Sequence, residues 1–291
     1  MTGQNVTQLR FLGRVFAFAA AASLAAGAAW AQTDQSANAG NPQSDSSFQR
    51  YSNGGIYEGD FKDGKQHGQG VFRLPNGFEY KGSWVHGTIE GEGAAQYPNG
   101  NVYQGQFKAG APHGKGVIRY ADGGSYDGDW FEGVIAGQGK VIYANGVEYD
   151  GQFRQSKPHG RGDMRAPNNY SYSGDWVEGR QEGEGKATYP DGAVFAGGFK
   201  GGERHGRGKI TFPNGFSFEG NWRAGQIHGK GVALYPNGDQ YEGEFRDGER
   251  HGYGVMTYAS GSEYRGYWVS NERGSRAEAE ATAGDGTAQN N

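Results

Sequence analysis

Polar and apolar residues alternate one by one through most of the chain. In the segment Tyr57-Glu58-Gly59-Asp60-Phe61, an extended strand would place the two aromatic residues and the glycine on one face and the two acids on the other. Spacing of this kind predicts β-strands rather than helices. The pattern therefore indicates an all-β fold whose strands are buried on one face.

This unit recurs at a fixed interval. Its first aromatic residue returns every 23 residues, without insertion or deletion, at Tyr57, Tyr80, Tyr103, Tyr126, Tyr149, Tyr172, Phe195, Phe218, Tyr241 and Tyr264. A fixed period of roughly 20 to 50 residues is the signature of a repeat array. Ten copies of one small structural unit are therefore predicted.

Each copy is expected to form a β-hairpin. In the first copy a longer connection over residues 62–67 should lead to a second strand over residues 68–74. Asn76-Gly77 should then form a tight turn, because this pair accepts positive φ at low cost. Ten such hairpins in series predict an elongated, single-layer antiparallel meander.

A longer period of 46 residues lies within the array. The second aromatic of each copy alternates strictly between phenylalanine and tryptophan, from Phe61 and Trp84 to Phe245 and Trp268. The second strand carries a large residue in the Phe copies and a small one in the Trp copies. We interpret this as volume compensation within a packed core, with Trp130, for example, filling space beside Val141.

Two segments carry a recognisable family pattern. Residues 57–61 (YEGDF) with 67–70 (HGQG), and residues 241–245 (YEGEF) with 251–254 (HGYG), resemble MORN (membrane occupation and recognition nexus) repeats. The resemblance covers residues 55–271 and is to an exported bacterial type. It implies a β-hairpin array that acts as a binding module.

Some copies depart from the pattern. The histidine of the repeat is replaced at Glu90, Ala136 and Glu182. Residues 165–169 replace the aromatic-Pro-Asn-Gly turn. In the longer connection, which spans residues 62–67 in the first copy, the glycine is replaced at Ser156 and Asn271. The junction of the fifth and sixth copies is therefore predicted to be the least regular, and the tenth copy, which stops after Trp268, is predicted to be a cap.

The two ends differ in composition from the repeats. Residues 1–31 combine arginines without acids, a short apolar stretch and a small-x-small site ending at Ala31, which are the parts of a cleavable signal peptide. We expect cleavage after Ala31 and a periplasmic or extracellular protein, with a retained membrane anchor as the alternative. Residues 32–54 are expected to be a disordered linker, and residues 272–291 a disordered tail.

Composition narrows the classes of function. Glycine supplies 56 of 291 residues, yet aromatics reach 14%, which favours a thin aromatic core over disorder. The net charge of −4 provides no basic footprint for nucleic acid. The absence of cysteine excludes a disulfide framework and thiolate catalysis.

Three patterns resemble known functional sites, and each lacks a feature that such a site requires. The histidines recur at one position of the repeat, about 10–20 Å apart in such an array, which is too far to share a zinc ion. They are His67, His113, His159, His205, His228 and His251. The Gly-x-Gly pairs precede no helix, and residues 179–186 miss a phosphate loop by one residue. We predict no catalytic, cofactor-binding or metal-binding residue.

The predicted function is a non-enzymatic scaffold of the cell envelope that binds an unidentified protein, with self-association into a dimer left open. Membrane or lipid binding is the alternative, because similar repeats accompany phosphoinositide kinases, although the chain has none of the kinase motifs. A cell-wall enzyme is the third interpretation.

Overall fold

The computed structural model describes residues 48–283, which form 21 strands and one short helix. Consecutive strands pair antiparallel, so the fold is the predicted all-β open meander of hairpin repeats. The chain divides into two compact units, with the boundary between Gly160 and Arg161. Each unit is built from the same hairpin.

Between two three-residue strands at the ends, the strands alternate between seven and nine residues in length. The first unit contains β1 Phe48–Arg50, β2 Ile56–Lys62, β3 Lys65–Arg73, β4 Glu79–Val85, β5 Thr88–Gln96, β6 Val102–Lys108, β7 Ala111–Arg119, β8 Ser125–Phe131, β9 Val134–Ile142 and β10 Glu148–Arg154. The boundary falls inside β11 Lys157–Arg165. The second unit continues with β12 Ser171–Val177, β13 Arg180–Thr188, β14 Val194–Lys200, β15 Glu203–Thr211, β16 Ser217–Arg223, β17 Gln226–Leu234, β18 Gln240–Arg246, β19 Glu249–Thr257, β20 Glu263–Val269, β21 Glu272–Gly274 and the helix α1 Arg276–Ala283.

The strand register aligns the aromatic and glycine positions into rows. Tyr80 in β4 pairs with Phe72 in β3 and with Ala95 in β5, while Gly82 pairs with Gly93. A Cβ on Gly93 would lie 2.6 Å from the ring of Tyr80, so only glycine fits beneath the ring. The glycines therefore make room for the aromatic rings, as the alternating pattern predicts.

The core of each unit is a ladder of edge-to-face aromatic contacts. The ring centroid of Tyr57 lies 5.0 Å from that of Phe61 and 5.2 Å from that of Trp84 in the next hairpin. The second unit repeats this arrangement, with Tyr172 lying 5.2 Å from Trp176 and 5.0 Å from Phe199. The perpendicular ring geometry adds favourable contact beyond the area buried.

The tryptophans pack toward the preceding hairpin, which corrects the predicted volume compensation. The ring of Trp84 lies 6.1 Å from that of Phe72, and Trp130 Nε1 donates a hydrogen bond of 3.0 Å to the carbonyl of Gly116 in β7. Val141 lies in β9, on the other side of β8. Trp130 therefore leans toward the strand that carries Ile118, and the predicted partner, Val141 of the same copy, is wrong.

The connection predicted to be the longer one is a two-residue turn, whereas Asn76-Gly77 lies in a tight turn as predicted. Asp63 and Gly64 form a two-residue turn with φ of 52° and 71°, which defines a type I′ turn. The Asn76-Gly77 pair belongs to a longer loop, closed by Gly77 N–H to Leu74 O at 3.1 Å. Pro75 favours the first central position of a type I turn, which leaves only Gly77 with positive φ.

The fifth-to-sixth junction keeps the regular loop. Ala166 N donates to Tyr170 O at 2.8 Å, and Asn169 N donates to Ala166 O at 3.1 Å, as in the other copies. Asn169 takes the glycine position with φ of 66°, which asparagine tolerates better than most residues. The predicted irregularity of this loop is therefore wrong.

Both predicted disordered segments contain ordered residues. Strand β1 lies inside the expected linker 32–54 and pairs with β2, and β21 and α1 lie inside the expected tail 272–291. The helix begins with a capping box, because Glu278 N donates to Ser275 Oγ and Ser275 N donates to Glu278 Oε2. Ala279 anchors the helix by being almost fully buried.

The expected signal peptide, residues 1–31, and its cleavage site lie outside the described residues. Within residues 48–283 no helix has the length and apolar content needed to cross a membrane.

Candidate binding surface

The outward face of each hairpin is organised around a β-bulge. Tyr57 Oη on the inner face donates to the carbonyl of Asp60 at 2.9 Å, and Asp60 Oδ2 on the outer face accepts the amide of Gln69 at 3.0 Å. The bulge interrupts the strand register between Gly59 and Phe61. One phenol and one side-chain oxygen therefore satisfy the backbone groups that the bulge exposes.

The position of Asp60 forms what we name the bulge row, which recurs in each complete repeat as Asp60, Ser83, Gln106, Asp129, Gln152, Asp175, Gly198, Asn221 and Glu244. The amide of Gln138 donates to Asp129 at 2.8 Å, and that of Lys115 donates to Gln106 at 3.2 Å. Lys115 also holds the Asp129 carboxylate at 2.5 Å, and this hydrogen bond lowers the pKa of Asp129. These polar side chains are structural acceptors, and sequence reasoning had assigned the acids only to a solvated face.

Two of the histidines, His67 and His113, brace the turn of the following repeat. His67 Nδ1 accepts the amide of His86 at 3.4 Å. At the same position of the next copy, Glu90 accepts the amide of Ala109 at 3.0 Å. Glutamate thus replaces histidine because both offer an acceptor to the turn. The described residues contain no cluster of three His, Asp or Glu side chains that could hold a metal ion.

The last residue of the first strand in each repeat forms a second row, which we name the hairpin-end row. Phe copies carry a cation there and Trp copies an apolar residue, with Arg223 as the exception: Lys62, Val85, Lys108, Phe131, Arg154, Val177, Lys200, Arg223, Arg246 and Val269. Phe131 is 56% exposed, and Val85 and Val177 are each 44% exposed. Sequence reasoning missed this row, although the 46-residue period contained the signal.

Two arginines on the inner face of the second unit stack on tryptophans. Arg204 Cζ lies 4.3 Å from the ring centroid of Trp222, and its Nη2 donates to Gly225 O at 2.6 Å. Arg250 stacks on Trp268 at 4.3 Å in the same way. Burial lowers the pKa of Arg204. Because each guanidinium stacks on a tryptophan and donates to a turn carbonyl, we interpret both arginines as packing residues.

The buried tyrosines remain protonated donors. Burial raises the pKa of Tyr57 to about 12, and it raises the pKa of Tyr80 and Tyr126 as well. A phenol with so high a pKa is a poor general base or nucleophile at neutral pH. The tyrosine row is therefore a structural element of the bulges.

Comparison with known families agrees with this geometry. The MORN-repeat family model matches nine consecutive segments, at residues 57–78, 80–102, 103–125, 126–148, 149–169, 172–194, 195–217, 218–240 and 241–263. The chain belongs to the MORN-repeat family. The partial tenth MORN copy lies beyond these matches, where β20 is followed by β21 and α1.

Solved structures resemble this MORN protein only distantly. The TCP10 domain of CPAP from Danio rerio is 11% identical with a TM-score of 0.39, covering 76% of this chain and 99% of that one. The SAS-4 TCP domain of Drosophila melanogaster, solved with a proline-rich motif of Ana2, is 13% identical with a TM-score of 0.31 over 64% and 94%. A virginiamycin B lyase from Staphylococcus aureus is 7% identical with a TM-score of 0.16 over 78% and 86%.

These scores are too low to support an argument about function. No curated protein matches the sequence. MORN architecture is that of a repeat-based module for protein interaction or membrane binding.

Proposed function

We propose that this MORN protein is a non-enzymatic scaffold of the cell envelope that binds a protein partner through the hairpin-end row. The observation that supports this most strongly is the recurrence of exposed apolar side chains at Val85, Phe131 and Val177, with cations at the same position of the intervening repeats. Single exposed apolar residues are common on protein surfaces. Their return at one position of the repeat, with Val85 and Phe131 in the first unit and Val177 in the second, favours a binding surface on each unit.

The local geometry of Phe131 fits this proposal. Its ring lies 5.3 Å from the ring of His113, which itself receives the turn amide of Glu132 at 3.5 Å. The exposed aromatic therefore stands on a braced turn instead of a mobile loop. A preorganised side chain loses less conformational entropy when it binds.

The test is capture of partners from an envelope extract by the mature chain. A variant with Val85→Ser, Phe131→Ser and Val177→Ser should lose the captured partner. A matched control, Val102→Ser, Ile142→Ser and Tyr253→Ser, removes comparably exposed apolar residues outside the hairpin-end row and should retain it. Equal capture by both variants would exclude this row as the binding surface.

Membrane binding is the second candidate, because cations beside exposed apolar residues also suit an anionic lipid surface. Sedimentation with anionic and with neutral vesicles separates the two candidates. Loss of sedimentation in the Val85, Phe131 and Val177 variant, with no captured protein, would favour the membrane. The proposed envelope location is tested separately by N-terminal sequencing of the exported protein, which should begin at Gln32.

A further inference from the structure

The seventh repeat departs from the others at the bulge row. Gly198 stands where every other complete repeat carries Asp, Ser, Gln, Asn or Glu. Phe195 also replaces the tyrosine whose hydroxyl, in the first repeat, binds the bulge carbonyl. The seventh repeat therefore lacks both side-chain groups that satisfy the bulge elsewhere.

The other repeats show what normally occupies this place. Asp129 Oδ2 lies directly over Gly137 and accepts the amide of Gln138 at 2.8 Å. Asp175 Oδ2 lies over Gly183 and accepts the amide of Glu184 at 3.3 Å. A bulge-row side chain occupies the space above the glycine in every other complete repeat, through an oxygen within 3 Å of a built Cβ in six of them and through Ser83 or Asn221 at 3.4–3.5 Å in the other two.

In the seventh repeat this space is open. A Cβ built on Gly206, the counterpart of Gly137, would meet no atom within 4 Å. The amide of Arg207, the counterpart of Gln138, has no side-chain acceptor among residues 48–283. A small notch with an exposed N–H donor results. We name it the Gly198 notch.

Cations surround the notch on the outer face. Lys186 in β13 and Lys209 in β15 both pair with Ala196, so they flank β14 about two strand spacings apart, roughly 10 Å. Arg207 adds a third cation beside the notch, and neither it nor Lys186 forms an ion pair with a described residue. Glu184, the register partner of Gly198, and Glu219, which lies 3.6 Å from Lys209 Nζ, are the opposing charges.

A shallow groove continues from the notch. Its volume is about 370 Å³, and it shares Arg207 and Lys209 with the notch before extending past Glu219 to Val232 and Leu234. A free anion would use only the notch, whereas a peptide could place a carboxylate in the notch and its neighbouring residues along the groove. The groove therefore favours a peptide.

We propose that the Gly198 notch binds the carboxylate of an Asp or Glu side chain in an acidic segment of a partner protein. The ligand oxygen takes the place of the side chain that position 198 lacks, accepts the amide of Arg207 and lies between Lys186 and Lys209. This proposal deepens the proposed scaffold function, on which it rests, by naming the chemistry of the partner at one repeat.

The test follows the backbone amides of the mature, ¹⁵N-labelled protein by nuclear magnetic resonance during titration with a Gly/Ser peptide that contains several glutamates. The amide of Arg207 should show a saturable shift, and the same peptide with glutamine should leave it unchanged. Lys186→Gln and Arg207→Gln should each weaken binding about threefold to tenfold, because each removes one charge-assisted contact. Glu184→Gln should strengthen it.

A gain-of-site variant gives an independent check. Asp129→Gly removes the bulge oxygen from the fourth repeat, where Lys140 stands at the position of Lys209 and Lys115 at the position of Glu184. It should create a second saturable site, reported by the amide of Gln138. Filling the notch with Gly198→Asp should abolish the first site, although its Cβ would press on the carbonyl oxygen of His205.

Three results would overturn the proposal: no shift at Arg207, an equal saturable shift with inorganic phosphate alone, or no new site in Asp129→Gly. Failure of the scaffold proposal gives a different outcome. If the peptide binds but the mature chain captures no partner, the notch stands and the scaffold does not. If a partner is captured equally by Arg207→Gln, the notch plays no part in holding it.

Discussion

The buried tyrosines combine two functions that other side chains would separate. The ring of Tyr126 packs edge-to-face against Trp130 at 5.5 Å, while its hydroxyl donates to the carbonyl of Asp129 at 2.9 Å. Phe195 and Phe218 keep the ring and lose the hydroxyl. The hydroxyl is therefore an addition to the packing, and its contribution can be measured alone.

Removing one of these hydroxyls should weaken the fold without disturbing the core. Tyr126→Phe leaves the carbonyl of Asp129 without the phenol and should lower the free energy of unfolding by about 1 kcal/mol. Phe61→Leu, which removes a ring instead, should cost more. Urea unfolding measures both, and an unchanged midpoint for Tyr126→Phe would show that water satisfies the carbonyl equally well.

The same hydroxyls should make the protein sensitive to alkali. The pKa of Tyr57 is raised to about 12 in the fold by burial, above its ordinary value of 10.0. The protonated form is therefore favoured by folding, so its contribution to stability is present below pH 10 and is lost as pH rises toward 12. Tyrosinate absorbance and circular dichroism should change together in this range. Conversion of all the tyrosines to tyrosinate near pH 10 with retained dichroism would contradict the buried phenols.

At the scale of the hairpin, backbone strain is concentrated in the two-residue turns, where residues other than glycine adopt positive φ. Ser156 replaces the glycine of the fifth turn with φ of 60°, and its Oγ accepts the amide of Ile135 at 3.3 Å. Asn271 takes the same position in the tenth copy with φ of 72°, and its Oδ1 accepts the amide of Arg250 at 3.0 Å. A residue that combines tolerance of positive φ with an acceptor suits this position.

Ser156→Asn is therefore expected to stabilise the protein, by about 0.5–1 kcal/mol, because asparagine tolerates positive φ better than serine and keeps an acceptor. Ser156→Ala should destabilise it, since the strain stays and the hydrogen bond is lost. Thermal unfolding of the two variants gives the comparison. A lower melting temperature for Ser156→Asn would show that the hydroxyl geometry matters more than the backbone conformation.

The sequence predicts the hairpins well because two periods overlap in it. The alternation of polar and apolar residues shows which face of each strand is buried, and the 23-residue period gives the length of one repeat. Sequence reasoning placed the turn at Asn76-Gly77 correctly but made the Asp63-Gly64 connection too long, although Asp-Gly is itself a signal for a two-residue hairpin turn. The helix α1 was missed because its sequence is polar, although Ser275 and Glu278 have the spacing of a capping box. Alignment of the ten copies would have revealed Gly198.

At the scale of the whole molecule, the residues that hold the array together differ from those that would bind a partner. Aromatic rings link each hairpin to the next within each unit, and they are buried. The hairpin-end row and the Gly198 notch lie on the outward face. Stability and binding should therefore respond to different substitutions.

Trp130→Phe tests the first half of this separation. The substitution leaves space beside the strand that carries Ile118 and removes the donor to the carbonyl of Gly116, at a cost of about 1–3 kcal/mol. Urea unfolding should show the loss. A change in binding without a change in stability would mean that the tryptophans contact a ligand directly.

The affinity of the captured envelope partner, measured for two variants under conditions where both are folded, tests the central claim most directly. The variant with Val85→Ser, Phe131→Ser and Val177→Ser should lose binding while its unfolding midpoint changes little. Trp130→Phe should bind with the affinity of the original protein. The reverse result, with binding lost in Trp130→Phe and retained in the triple variant, would show that the buried rings and not the hairpin-end row bind the partner.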